Sequence, residues 1–121
     1  MITKQEVETY LNDFKIKMKV FQILFRDERM TNTQSLLLLE MTPDARKKVL
    51  NSLTFEDYSE GPLTDTLYGI ASIWVFGKNV KKGTEIYIKI SMGRPNDRVI
   101  CISFHKSKHS MTYPFKKPLK L

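Results

Sequence analysis

The chain has 121 residues, of which 41% are hydrophobic and 27% charged, as in an ordinary globular domain and unlike a disordered chain. It contains one cysteine, which excludes an internal disulfide bond, and no apolar run approaches the roughly 20 residues of a membrane-spanning helix. The start, MITKQEVETY, lacks the apolar segment of a signal peptide, so we expect a cytoplasmic protein.

The net charge of +7 is concentrated in the second half of the chain. Residues 1–60 hold 9 Lys and Arg against 10 Asp and Glu, whereas residues 61–121 hold 11 against 3. Such an excess of positive charge fits a polyanion or an acidic protein as partner. A basic surface that serves only solubility has the same composition, so this alternative stays open.

The first periodic segment predicts an N-terminal helix. Thr3 and Glu6 have the spacing of a capping box, and apolar residues then recur at helical spacing, so we predict a helix over residues 4–14. The next stretch, IKMKVFQILF (residues 16–25), is rich in Val, Ile and Phe. Its pattern fits either a first strand or a continuation of the helix.

Two more helical segments follow. QSLLLLE (residues 34–40) predicts a short buried helix. Thr42-Pro43 is a helix start, because proline is favoured in the first helical turn, and the apolar spacing behind it predicts a helix over residues 43–53. Gly61-Pro62 then predicts a break in regular structure before the second half of the chain.

The second half has the period of β-strands. Residues 71–77, 84–91 and 98–105 are short runs rich in β-branched and aromatic residues. The connections KNVKKG and MGRPND contain turn-forming residues, so we predict a three-stranded antiparallel meander. Helices that precede a sheet in this way predict an α+β fold, with the N-terminal helices packed on one face of the sheet.

Strand alternation assigns each side chain to one face of this sheet. Ile86, Ile88 and Ile90 share a face that suits a helix-covered core. We assign to the same face the apolar residues Ile73, Val75, Ile100, Ile102 and Phe104. The opposite, open face is then predicted to carry Ser72, Trp74, Phe76, Tyr87, Lys89, Cys101, Ser103 and His105.

Aromatic rings and cations on one open face are typical of proteins that bind single-stranded RNA. Bases stack on the rings, and phosphates pair with Lys or Arg side chains. We therefore expect Trp74 and Tyr87 to offer stacking surfaces. A structural alternative stays open, because Trp74 and Phe76 also fit a role in packing beneath a loop or the C-terminal segment.

The sequence contains no pattern for a metal or a cofactor. A metal-dependent nuclease needs clustered carboxylates, whereas the basic half has only Asp65, Glu85 and Asp97, which are scattered. His105 and His109 have a His-x3-His spacing but lack a second pair of ligands. A glycine-rich phosphate loop is also missing. We predict neither zinc nor any cofactor.

These side chains still allow metal-free cleavage of RNA. The ribose 2′-OH attacks the adjacent phosphate while the 5′-oxygen leaves, and the reaction needs a general base, a general acid and cations. Histidine suits the proton transfers because its ordinary pKa lies near neutrality. His105 and His109 are therefore candidates, although a histidine at a strand end is more often structural or solvated.

Four short motifs in chain order resemble a known family. LTFEDY, IWVFGK, GTEIYIKI and VICISFH are similar to the MqsR-type toxins of bacterial toxin–antitoxin pairs, which belong to the RelE/ParE superfamily. The similarity covers most of residues 34–105. Tyr87 matches a tyrosine of the family's proposed active site, and Lys89 matches the basic position beside it.

Two positions depart from the family pattern. The prototype has a lysine after its Asp-aromatic-Tyr motif, whereas this chain has Ser59-Glu60; it has a glutamine after the tryptophan, whereas this chain has Val75. The chain also continues past the last strand as HKSKHSMTYPFKK, which is longer than the prototype's C-terminal end. By location alone, the missing groups could be replaced by His105, Lys108, His109 and Tyr113.

The resemblance implies one RelE/ParE-like toxin domain over residues 1–121, with a helical half (1–60) and a β-meander with a basic tail (68–121). Its fold would be N-terminal helices on one face of a curved, mainly antiparallel sheet. Its function would be metal-independent cleavage of mRNA, free or ribosome-bound, under control of a cognate antitoxin. A ParE-like toxin that inhibits gyrase and an RNA-binding module without catalysis are the alternatives.

The expected site combines the matched residues with basic residues around them. The predicted catalytic residues are Tyr87, Lys89, His105, His109 and Tyr113. The predicted RNA-binding residues are Trp74, Lys78, Lys81, Lys82, Arg98, Lys106 and Lys108. We predict no metal ligand and no membrane contact.

Overall fold

Two α-helices and five strands make up the described part of the chain. The computed structural model describes residues 2–26, 41–65, 69, 71–81 and 83–116, except for the side chain of Lys81. In chain order the elements are α1 (Lys4–Phe21), β1 (Ile23–Phe25), α2 (Pro43–Ser52), a 3-10 turn (Phe55–Asp57), β2 (Tyr58–Leu63), β3 (Ile73–Lys81), β4 (Thr84–Ser91) and β5 (Val99–Lys106). The predicted helix at 34–40 lies outside the described residues.

The capping box at the start of α1 is confirmed. The hydroxyl of Thr3 accepts a hydrogen bond from the backbone N–H of Glu6, and the carboxylate of Glu6 accepts one from the backbone N–H of Thr3. The helix is longer than predicted and ends at Phe21. Residues 16–25 therefore contain a continuation of the helix and also a first strand, the two alternatives expected from the sequence. The chain leaves the helix at Gln22, where φ is 73°, and enters β1.

The second helix also begins as predicted. The side chain of Thr42 accepts a hydrogen bond from the backbone N–H of Ala45, and Pro43 occupies the first helical turn. The end of α2 is at Ser52, one residue before the predicted end. Among the described residues, no helix has the length and apolar character that a membrane crossing requires.

The strands form one open, mixed sheet with the order β1-β5-β4-β3-β2. The predicted meander β3-β4-β5 lies at its centre, and all pairs are antiparallel except β1 with β5. The expectation of an α+β fold with a mainly antiparallel sheet is therefore confirmed. Of the two edge strands, β1 lies in the stretch for which a first strand was one alternative, whereas β2 was not predicted. β2 includes the expected break at Gly61-Pro62, because an edge strand tolerates proline.

The register of β3 and β4 corrects the predicted face of two aromatic residues. Trp74 pairs with Ile90, and Phe76 pairs with Ile88. Directly paired residues project to the same side of a sheet, so both rings face the helices. There Trp74 stacks on Tyr10 of α1, with ring centroids 4.2 Å apart. The predicted open-face position of Trp74 and Phe76 was wrong because IWVFG is apolar at odd and even positions alike, so alternation does not fix its orientation.

A β-bulge in β5 causes a second difference. Ser103 pairs with Lys89, but the next residue of β4, Ile90, pairs with Cys101, so β5 contains one extra residue. Cys101 therefore lies in the helix-side core, and Ile100 pairs with Ser91 on the opposite side. Both had been assigned to the other face, because strict alternation does not anticipate a bulge.

The helices cover the apolar face of the sheet and bury one core. α1 contributes a stripe of buried residues at helical spacing, and α2 adds Leu50. The sheet residues with no exposed surface include Phe76, Ile86, Ile88, Ile90 and Phe104. The opposite face is left open in its middle, and we call it the open face.

The segment after β5 crosses part of the open face. We call residues 107–116 the C-terminal strap. The backbone N–H of Ser107 donates to the carbonyl of Glu85, and further along the strap the ring of Phe115 lies 5.6 Å from that of Tyr58. The strap thus runs from the end of β5 past β4 and β3 to β2. It forms a wall beside the middle of the open face.

Candidate active site

Strand pairing brings together three of the predicted catalytic residues. Tyr87 of β4 pairs directly with His105 of β5, and Lys89 pairs with Ser103. The rings of Tyr87 and His105 are stacked, with centroids 5.2 Å apart and planes at 16°. The Nζ atom of Lys89 lies 5.8 Å from the centroid of the Tyr87 ring. A phenol, an imidazole and an ammonium group therefore lie side by side on the open face.

These side chains form the floor of a depression of about 510 Å³, a volume typical of a small-ligand site. One wall comes from β2, through Ser59 and Glu60. The other comes from the strap and presents Lys108 and His109. The remaining residues around the depression are Val75, Ser103, Ser107, Ser110, Met111 and Thr112.

The hydrogen bonding of His105 defines its basic nitrogen. Its Nδ1 atom lies 2.9 Å from the backbone carbonyl of Lys106. A carbonyl oxygen only accepts hydrogen bonds, so in the neutral imidazole Nδ1 carries the proton and Nε2 carries the lone pair. The side chain is half-buried, which leaves room for a reactant on one side. In this tautomer Nε2 can act as a general base.

His109 and Lys108 reach the depression from the strap. Both side chains are exposed, in contrast to the half-buried His105 and Tyr87. The backbone carbonyl of His109 accepts a hydrogen bond from the hydroxyl of Ser107, which fixes the first turn of the strap. As expected from the sequence, the tail reaches the depression. It brings one imidazole, that of His109, and one ammonium group, that of Lys108, opposite the floor.

Tyr113 is held away from the reacting groups. Its hydroxyl donates a hydrogen bond to Oε2 of Glu85 at 2.5 Å. Burial, this hydrogen bond and the charge of Glu85 raise the pKa of Tyr113 well above its ordinary value. The side chain is therefore a neutral donor with its hydroxyl engaged, and it does not border the depression. This position suits anchoring better than the predicted proton transfer.

Lys78 lies on the other side of the sheet from the site. It pairs with Ile86, and its Nζ atom donates to Oδ2 of Asp57 and to the carbonyl of Ser52, both at 3.1 Å. Lys78 and Trp74 are four residues apart in β3 and project to the same side, so this predicted RNA-binding residue lies on the helix side, away from the depression. Its charge is used to join β3 to the end of α2.

The other predicted basic residues do not meet at the depression. Arg98 is exposed in the loop between β4 and β5 and directly precedes β5. His105 lies near the other end of that strand. Lys106 is exposed at the end of β5, opposite Ile86. For Lys81 only the backbone, in the β3–β4 hairpin, is described, and Lys82 lies outside the described residues.

Three site residues were missed in the sequence. Glu60 borders the depression, Glu85 anchors the strap, and Gly77 lies beneath the strap. Glu85 lies on the same face as Tyr87 by simple alternation, so the signal was present. In the ranges the structure covers, no group of three or more His, Cys, Asp or Glu side chains is arranged to hold a metal ion.

A comparison of the chain with protein-family models, with curated proteins and with solved structures found no match in any of the three. The arguments for a function are therefore the motif resemblance described above and the geometry of the open-face site.

Proposed function

We propose that the protein is the toxin of a type II toxin–antitoxin pair and cleaves mRNA without a metal ion, as a single RelE/ParE-like domain acting in the cytoplasm. The observation that supports this best is the stacked pair Tyr87 and His105 with Lys89 beside it. Metal-free RNA cleavage needs a base, an acid and positive charge, and this cluster and the facing strap offer all three.

In the proposed reaction, Nε2 of His105 takes the proton from a ribose 2′-OH. The 2′-oxygen then forms a bond to the adjacent phosphorus, and the bond from phosphorus to the 5′-oxygen breaks. The protonated ring of His109, on the opposite wall, gives its proton to the leaving 5′-oxygen. The products are a 2′,3′-cyclic phosphate and a 5′-hydroxyl.

Lys89 and Tyr87 act on the phosphate in this proposal. The ammonium group of Lys89 stabilises the negative charge that develops on the non-bridging oxygens. The hydroxyl of Tyr87 donates a hydrogen bond to one of these oxygens, while its ring keeps the imidazole of His105 in place. Lys108 pairs with a neighbouring phosphate, which aligns the strand along the strap. A cognate antitoxin neutralises the protein by binding it.

The test is incubation of the purified protein with a long single-stranded RNA in EDTA, with and without ribosomes. We expect cleavage that leaves 2′,3′-cyclic phosphate ends. His105→Ala should reduce the rate by about a hundredfold or more, as for loss of a general base. Lys48→Ala is the control, because it removes an exposed cation of α2 and leaves the open face unchanged.

Each other outcome has a definite meaning. RNA that stays intact with and without ribosomes contradicts the nuclease proposal. If the RNA is bound but uncut, the protein is an RNA-binding module. If the wild type and His105→Ala inhibit gyrase supercoiling equally and leave RNA intact, the protein is a gyrase inhibitor.

A further inference from the structure

One carboxylate holds the strap on the open face. Oε1 of Glu85 accepts a hydrogen bond from the backbone N–H of Met111 at 3.2 Å, and Oε2 accepts one from the hydroxyl of Tyr113 at 2.5 Å. The backbone carbonyl of Glu85 accepts a third from the N–H of Ser107. Hydrogen bonds to a carboxylate are stronger than those between neutral groups, so Glu85 is the main polar anchor described for the strap.

The neighbouring strand provides the space that the strap occupies. Gly77 of β3 pairs with Tyr87 of β4, and it lies beneath Met111 and Tyr113. A Cβ atom at position 77 would overlap the hydroxyl of Tyr113 and would lie 2.6 Å from the sulfur of Met111. A larger residue at this position would therefore displace the Tyr113 hydroxyl and the Met111 side chain from their places over β3.

The anchor sets the position of the two strap groups that border the depression. Ser107 and Met111 are both hydrogen-bonded to Glu85. Lys108 and His109 lie between these two anchored residues in the chain. We infer that Glu85 is a positioning residue of the site, which fixes the strap so that Lys108 and His109 face the floor and hold a single strand of RNA between the two. This inference rests on the proposed function for its substrate, whereas the anchoring itself is independent of catalysis.

The first experiment measures whether the strap is released. Glu85→Ala removes both side-chain acceptors, and Gly77→Ala displaces the Tyr113 hydroxyl from its place beside Glu85 while every hydrogen-bonding group stays present. In both variants we expect trypsin to cut after Lys108 and Lys116 about tenfold faster or more, because cleavage requires local opening. Glu85→Gln should stay close to the wild type, since its amide can accept from Met111 and donate to the oxygen of Tyr113. Equal cleavage rates in all four proteins would contradict the anchoring role, whether or not the protein cuts RNA.

The second experiment measures the binding of a single-stranded 2′-O-methyl RNA, which lacks the attacking hydroxyl and stays uncut. We expect Glu85→Ala and Gly77→Ala to raise the Kd about tenfold, and Glu85→Gln to restore most of the affinity. The effect of Glu85→Ala should disappear in a Lys108→Ala/His109→Ala background, because a positioning residue acts only through the groups that it positions.

The outcomes separate the inference from the proposed function. If the strap is released but the affinity for the uncut RNA is unchanged, Glu85 is structural and the inference is wrong. If the affinity falls as expected while unmethylated RNA is never cut, the inference holds and the nuclease proposal fails. Should Glu85→Ala not fold, Gly77→Ala and Tyr113→Phe measure the same release without changing Glu85.

Discussion

Tyr87 and His105 face each other across β4 and β5 with their rings stacked at a centroid distance of 5.2 Å. One face of the imidazole is thus covered by a phenol ring, while Nδ1 lies 2.9 Å from the carbonyl of Lys106. Two contacts fix the orientation of His105, and both come from residues of β4 and β5 rather than from a loop. A base held in this way keeps Nε2 directed to one place, which acid–base catalysis requires.

Two substitutions at Tyr87 distinguish the contribution of its ring to RNA cleavage from that of its hydroxyl. Tyr87→Phe keeps the stack on His105 and removes the hydroxyl that we propose donates to the phosphate, so we expect the rate of RNA cleavage to fall about tenfold. Tyr87→Ala removes the stack as well and should reduce the rate about a hundredfold or more. Single-turnover cleavage of one RNA substrate measures both. Equal rates for the two variants would show that the stack does not orient His105.

The fluorescence of Trp74 tests the corrected face of β3. It is the only tryptophan of the chain, it is 8% exposed, and it stacks on Tyr10 beneath the sheet. We therefore expect blue-shifted emission that changes little when single-stranded RNA binds. A base stacked on Trp74 would quench the emission strongly, and such quenching would place the RNA on the helix side. Titration with 2′-O-methyl RNA, followed in parallel by anisotropy of a labelled strand, gives the comparison.

The fold was largely predictable where a local pattern has one interpretation. The capping box at Thr3, the proline at the start of α2 and the period of β4 each predicted an element that the structure contains. The edge strands were not predictable in the same way. β1 has only three residues directly after a helix, and β2 contains a glycine and a proline. Their pairing comes from the tertiary fold and not from their own sequence.

The candidate site was predictable on β4 and β5 but not on β3. In TEIYIKIS, apolar and polar residues alternate strictly, so Tyr87 and Lys89 were placed correctly on the open face. In IWVFG, no polar residue marks a face, so Trp74 and Phe76 were placed on the wrong side. The path of the strap was not predictable, because it depends on hydrogen bonds to one distant residue, Glu85.

Lys78 and Lys89 form a matched pair for testing which face binds RNA. Lys78→Met removes the ion pair with Asp57, and we expect the free energy of unfolding to fall by about 1 kcal/mol with no change in RNA affinity. Lys89→Met should leave the free energy of unfolding nearly unchanged. It should weaken RNA binding and reduce the slope of log K against log salt by about 0.7, since one phosphate contact is lost.

Urea unfolding and salt-dependent anisotropy measure these two quantities for each variant. Lys48→Met on the exposed side of α2 controls for loss of a cation without loss of either contact. A loss of RNA affinity in Lys78→Met that equals the loss in Lys89→Met would contradict the assignment of the two faces.

The last prediction concerns the buried hydroxyl of Tyr10. This oxygen is shielded from solvent and has no hydrogen-bond partner among the described residues, although its ring stacks on Trp74. A buried hydroxyl without a partner lowers stability. We therefore expect Tyr10→Phe, which keeps the stack, to raise the free energy of unfolding at neutral pH by about 1 kcal/mol.

The same hydroxyl predicts the behaviour of the fold in alkali. Burial raises the pKa of Tyr10 well above its ordinary value of 10.0, so the unfolded chain loses this proton at a lower pH than the folded chain. The part of the folding free energy that depends on Tyr10 staying protonated is complete below about pH 10. It is lost as the pH rises toward the folded-state pKa, because the unfolded chain then ionises first. Urea unfolding at neutral pH and at about pH 11 should show a smaller alkaline loss for Tyr10→Phe than for the wild type. Equal losses would mean that the phenol of Tyr10 ionises as readily in the folded as in the unfolded chain.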